Sequence, residues 1–227
     1  MANGVSGTKG TAPETPVNYT QMSDSEGAAL LESNPKWESD VDVSQAIDLY
    51  KSNTNPYGNG FSYAQNLNHN LANGQPLTPV EQKIDTNLQK GMTQIGKDVQ
   101  LARFCHDSIL KQLGIDDYTK YSEKELQDKL VGATFKTNSY LSTSYNGTKS
   151  PFAPGQPKGG GREVYMKINA KKNTKFVPGD KSQAELVLNK GSNVKVKNIY
   201  FDGTSASPNS IYPKKIPRVV FEVEISG

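Results

Sequence analysis

Residues 183–201, Gln-Ala-Glu-Leu-Val-Leu-Asn-Lys-Gly-Ser-Asn-Val-Lys-Val-Lys-Asn-Ile-Tyr-Phe, decide how the chain is read. Leu186 to Leu188, Val194 to Val196 and Ile199 to Phe201 are short apolar runs bounded by turn residues, the pattern of strands, with Lys190-Gly191 turning the chain between the first two. The same period continues downstream. Val219, Phe221, Val223 and Ile225 alternate with Arg218, Val220, Glu222 and Glu224, and upstream Val164, Met166 and Ile168 alternate with polar or amphipathic residues.

Before about residue 130 the period is helical. Val43, Ala46, Ile47 and Tyr50 fall on one stripe, Gly58 and Gly60 interrupt, and Tyr63, Leu67 and Leu71 mark a second helix. Thr78-Pro79-Val80-Glu81 supplies an N-cap, a first-turn proline and a capping-box glutamate for a third, whose inner face is expected to carry Val80, Ile84, Leu88 and Met92. Ser122 and Glu125 repeat the capping box before a short helix ending near Leu130. Helices first and strands later predict an α+β domain. Residues 1–35, rich in Gly, Ser, Thr, Pro and Asn with few apolar positions, read as a flexible tail or linker ahead of a domain spanning 36–227.

Composition narrows the function. The 227 residues can bury a sizeable core although mean hydropathy is -0.67. A balance of 26 basic against 23 acidic residues gives +3, too little to argue nucleic-acid binding. Cys105 is the single cysteine, so neither an internal disulfide nor a cysteine-rich zinc site is available, and it reads as a small buried hydrophobe. His69 and His106 do not sit at ligand spacing with cysteines or acids, and no metal is expected. No apolar run is long enough to span a bilayer, and the polar start lacks a signal-peptide core.

Three further segments carry the chemistry: Leu101-Ala102-Arg103 on a predicted strand, Tyr140-Leu141-Ser142-Thr143-Ser144, and Gln183-Ala184-Glu185 leading into the next strand. Each alone is weak. In this order and spacing they resemble the arginine, serine-motif and glutamate set of bacterial mono-ADP-ribosyltransferase toxins over roughly residues 43–226, and the Gln-x-Glu form is similar to that of the Rho-modifying exoenzymes. The resemblance implies an ADP-ribosyltransferase-like fold, with N-terminal helices and two packed, mainly antiparallel β-sheets around an NAD cleft. It implies NAD as substrate, cleavage at the nicotinamide glycosidic bond, and transfer of ADP-ribose to a protein acceptor by a secreted or delivered effector acting as a monomer in a target-cell cytoplasm.

The same resemblance gives the residues their expected roles. Arg103 would grip the diphosphate with paired charge-assisted hydrogen bonds. Glu185 would stabilise the oxocarbenium-like ribose, with Ser142 fixing that carboxylate or the ribose, and Thr143 and Ser144 supporting the cofactor-binding strand. Gln183, two residues before Glu185, would project to the same face of an extended segment and meet an amide-type acceptor. Between Ser144 and Arg162 lies a Gly- and Pro-rich loop, where Phe152 would stack on the nicotinamide and Arg162 would add a phosphate contact. Three departures stand out: Phe104 follows the arginine where glycine is frequent, Ala72 closes Asn68-His69-Asn70-Leu71 where an arginine is common, and the loop before Gln183 is short and lacks an aromatic residue. Two rival readings use the same sequence: an NAD glycohydrolase with water as acceptor, and a catalytically silent structural or phage-associated module.

Overall fold

The computed structural model describes residues 19–32, 34–147, 162–206 and 213–227. The helices are α1 (Asp24–Glu32), α2 (Pro35–Ser39), α3 (Val41–Lys51), α4 (Tyr63–Ala72), α5 (Pro79–Gly91), α6 (Ser108–Gln112) and α7 (Glu123–Leu130). Their starts are set by side chains that satisfy otherwise orphaned amides. Asp40 accepts from the N–H groups of Asp42 and Val43, and full capping boxes form at Ser62 with Gln65, Thr78 with Glu81 and Ser122 with Glu125.

One inner-face assignment on α5 fails. Val80 is 45% exposed, whereas Glu81 is 1% exposed. A four-residue step overshoots a full turn by roughly 40°, so Val80 drifts off the stripe that Ile84 and Leu88 hold, and position 81 replaces it. Glu81 enters the interior because its carboxylate is satisfied there, accepting from the Thr78 N–H at 2.8 Å and from Asn70 Nδ2 at 3.2 Å.

The strands are β1 (Thr20–Gln21), β2 (Thr93–Gln94), β3 (Val99–Cys105), β4 (Thr134–Lys136), β5 (Leu141–Ser144), β6 (Val164–Ala170), β7 (Lys175–Pro178), β8 (Glu185–Leu188), β9 (Asn193–Ala206) and β10 (Ile216–Ser226). The two sheets form two limbs of one hydrogen-bonded path, β2-β7-β8-β5 and β3-β6-β10-β9-β4. They meet at a single register pair, Ala102 with Ser144. Pairing is antiparallel except between β6 and β10 and between β1 and β3. The candidates at 194–196 and 199–201 are one strand, β9, whose register against β10 shifts so that Lys197 is the extra residue of a bulge. Alternation on β6 is complete, with Val164, Met166, Ile168 and Ala170 facing a core that also takes Leu67, Leu88, Phe176, Leu186 and Phe221.

The tail ends earlier than its composition suggests. Thr20 and Gln21 pair with Val99 and Gln100, Met22 and Leu31 are buried, and the Tyr145 ring lies where a Cβ on Gly27 would stand. Residues 20–32 therefore belong to the folded domain, a two-residue strand and a nine-residue helix with too few apolar positions to register as periodic. Residues 1–18 lie outside the described residues. Further in, Trp37 packs edge-on against Phe176 and donates from Nε1 to the Gly91 carbonyl at 2.8 Å, fixing α2 to α5 and to the first limb.

Candidate active site

The seam between the limbs opens into a cleft of about 590 Å³, within the usual size of small-molecule sites. Its walls come from different limbs. Arg103 stands on β3, while Ser142, Thr143 and Ser144 on β5 and Gln183 and Glu185 at the entry to β8 stand opposite, with Tyr50 and Asn68 from α3 and α4 also lining it. Arg162 lines the cleft as well; Phe152 lies outside the described residues.

Arg103 donates from Nη1 to the Ser142 carbonyl at 2.6 Å, a second link across the seam beside the Ala102–Ser144 pair. The hydroxyls of the serine motif divide their work. Thr143 Oγ1 donates to the Leu186 carbonyl at 2.8 Å, and the single proton of Ser144 Oγ is shared between the carbonyls of Asn146 at 2.7 Å and Gln183 at 2.9 Å. Both are buried and directed at the protein's own backbone, so they seat β5 against β8. Ser142 lines the cleft beside Tyr50 and contributes to that residue's electrostatics. Burial pushes the Tyr50 hydroxyl up to about 12, with Glu185's negative charge contributing, and Asn68 Nδ2 donates to it at 2.8 Å. Tyr50 and Asn68 thus form a polar floor that sequence reasoning missed, because they meet only when α3 packs on α4.

The Gln-x-Glu segment is not extended. Lys181–Gln183 is a 3₁₀ turn capped by the Asp180 side chain, Ala184 sits in the left-handed region at φ 52°, and Glu185 begins β8. Gln183 and Glu185 nevertheless reach the same cleft, by way of that turn instead of strand alternation. Glu185 Oε2 accepts from the Asp180 N–H at 2.8 Å. Gly179 makes this possible, since a Cβ there would overlap the Glu185 carboxylate. The backbone at Asp180 thus holds the carboxylate, for which the resemblance offered Ser142 as a partner of either the carboxylate or the ribose.

His106, which lines the cleft, has its Nδ1 2.7 Å from Oε2 of the buried Glu163, 57 positions away in sequence. Burial raises the Glu163 carboxyl, but the His106 hydrogen bond and neighbouring positive charge outweigh it and hold it below its ordinary value. Burial lowers the Arg162 guanidinium from its usual value, and Arg103's like charge adds to this. Phe104, in place of the frequent glycine, is buried; it stacks on Tyr165 at 4.5 Å and carries the Arg218 guanidinium 5.7 Å from its ring. Burial pushes the Cys105 thiol up, which keeps it protonated. His69 is exposed. Among the described residues no group of three His, Cys, Asp or Glu could hold a metal ion, and no helix is long and apolar enough to cross a membrane.

A cleft with a guanidinium on one wall and a carboxylate on the other has relatives. The chain resembles Plx2a, an ADP-ribosyltransferase toxin from Paenibacillus larvae, at 17% identity, covering 90% of this chain and 96% of that one with a TM-score of 0.63. The C3 exoenzyme of Clostridium limosum matches at 15% identity over 93% of this chain and 98% of its own, with a TM-score of 0.62. The C3larvin toxin, an ADP-ribosyltransferase from Paenibacillus larvae, is 21% identical over 84% of this chain and 91% of that one, with a TM-score of 0.55. At these identities the likeness establishes the fold. No curated protein sequence matches the chain. The family model for the ADP-ribosyltransferase exoenzyme matches residues 44–211, a span that holds Arg103, Ser142, Gln183 and Glu185 together. With most of its length inside that match, the chain belongs to the ADP-ribosyltransferase exoenzyme family and is a mono-ADP-ribosyltransferase.

Proposed function

We propose that this cleft takes NAD as substrate and passes its ADP-ribose to an amide side chain of a protein acceptor inside a target cell. The convergence of Arg103, Gln183 and Glu185 on one cleft carries the reading. Arg103 matches the anionic diphosphate, and Arg162 offers a second cation where Ala72 replaces the family's common arginine. Glu185, held by the Asp180 N–H, faces the positive charge that develops at the ribose as the nicotinamide bond breaks. Nicotinamide leaves with the bonding electrons, and the acceptor nitrogen forms the new bond to the anomeric carbon and releases a proton. Ser142 and Tyr50 order the floor beneath the ribose, while Thr143 and Ser144 act through the backbone they seat.

Gln183 is the acceptor-facing residue. A neutral amide offers both a donor and an acceptor, matching another amide better than a guanidinium. Transfer to protein stands ahead of glycohydrolysis because Gln183 is placed in the cleft beside Glu185, a residue that water as acceptor does not require. The test is Glu185→Gln, assayed by protein labelling and by nicotinamide release. Both are expected to fall by roughly a hundredfold or more with NAD affinity little changed. Near-normal turnover in the folded variant would remove Glu185 from the chemistry.

A further inference from the structure

Asp180 precedes the two residues given different tasks above and bonds to both. Its N–H donates to Glu185 Oε2 at 2.8 Å, and its carbonyl accepts from the N–H groups of Gln183 and Glu185, each at 3.1 Å. Its carboxylate takes the Ser182 N–H at 2.8 Å and the Ser182 hydroxyl at 2.7 Å on Oδ1, and Gln183 Nε2 at 3.1 Å on Oδ2. An ionised carboxylate only accepts, so the end of the Gln183 amide that turns to it is the NH2. The carbonyl end is then the one left for the cleft.

We propose that Asp180 is a positioning residue for transfer, its main chain seating Glu185 at the ribose while its side chain orients Gln183 so that the amide oxygen meets the acceptor's N–H. This rests on the acceptor-facing reading of Gln183. The two contributions are separable, because the main-chain part survives a change of side chain. Nothing in the residue types of Gln-Ala-Glu reveals it, since Asp180 acts from outside the motif through a turn.

The charges facing Asp180 suit the role. The Ser182 hydroxyl is the largest influence holding its carboxyl below the usual aspartate range, with Gln183 and the ammonium of Lys51 adding to it; Glu185, the other acid nearby, takes the Asp180 amide. The acceptor-only form therefore persists through neutral pH.

Asp180→Asn is the informative variant. It keeps an oxygen for Ser182 and the amide for Glu185, so the turn stays capped, but it presents an NH2 to Gln183 and turns that amide over. With the full chain, biotinylated NAD labelling of proteins in a eukaryotic cell lysate should drop roughly tenfold, while nicotinamide release without acceptor drops less than about threefold. Equal losses in both assays, with the fold intact, would overturn the proposal. A second reading is independent of any acceptor: in ¹⁵N-labelled protein the Gln183 side-chain NH2 resonance, assigned with Gln183→Ala, should titrate with Asp180 at a midpoint below the usual aspartate range. Absence of that titration overturns the orientation. A wild-type protein that releases nicotinamide but labels no protein would sink the acceptor reading instead, and the resonance titration alone would then decide Asp180.

Discussion

At the level of single residues, the site depends on groups whose partners are unequal in kind. Arg103 already gives one N–H to the Ser142 carbonyl, and its remaining donors are those that would meet phosphate oxygens. Arg103→Lys keeps the charge but loses both the planar fork and that bridging bond. NAD is expected to bind about tenfold more weakly to the lysine variant, measured by calorimetric titration. An unchanged dissociation constant would return Arg103 to a purely structural role. Ser142, Thr143 and Ser144 show why a motif is not a list of ligands: adjacent hydroxyls on β5 point alternately, and two of the three are consumed by the backbones of Leu186, Asn146 and Gln183. The residues that complete the site from outside the motifs, Tyr50, Asn68, Gly179 and Asp180, are ordinary as letters and acquire meaning only through contacts made across the fold.

Helices and strands were legible to the extent that their signals are local. Thr78 with Glu81 and Ser122 with Glu125 name helix starts because the cap and its partner lie three residues apart, and both boxes form. Alternation on β6 and β10 is equally local. What escaped is set by pairing at a distance. β1 and α1 are too short to show a period and are held by Val99, Gln100 and Tyr145; β9 reads as two strands because a bulge at Lys197 breaks its alternation; and the Gln183–Glu185 segment reads as extended because nothing in its letters announces that Asp180 caps a turn there. Glu81 combines a local and a distant role, closing the capping box and accepting from Asn70 on α4. Glu81→Ala should therefore cost about 2 kcal/mol, more than loss of a cap alone, because Asn70 is left with an unmatched donor. Equilibrium urea denaturation measures it; a loss no larger than that of Thr78→Ala would show that the link between α4 and α5 adds nothing.

Across the whole molecule, the chain carries little net charge, and its chemistry is concentrated where its two limbs meet. One register pair, Ala102 with Ser144, and one side-chain bond, Arg103 to the Ser142 carbonyl, join β3 to β5, against a seven-residue ladder between β3 and β6. We expect such a junction to act as a joint between two plates. The group assigned to the diphosphate rides on one plate and the carboxylate assigned to the ribose on the other, so NAD lying between them is a strut spanning the joint. Backbone hydrogen exchange at Ala102 and Ser144 should slow by roughly tenfold when NAD is added, while the β9–β10 ladder exchanges as before. Uniform protection, or none at the seam, would mean that the plates are rigidly joined without the substrate. Protection confined to the seam would mean that the molecule bridging the joint sets the distance between the phosphate grip and the carboxylate, so that a dinucleotide cut short at either end should leave the jaws unset.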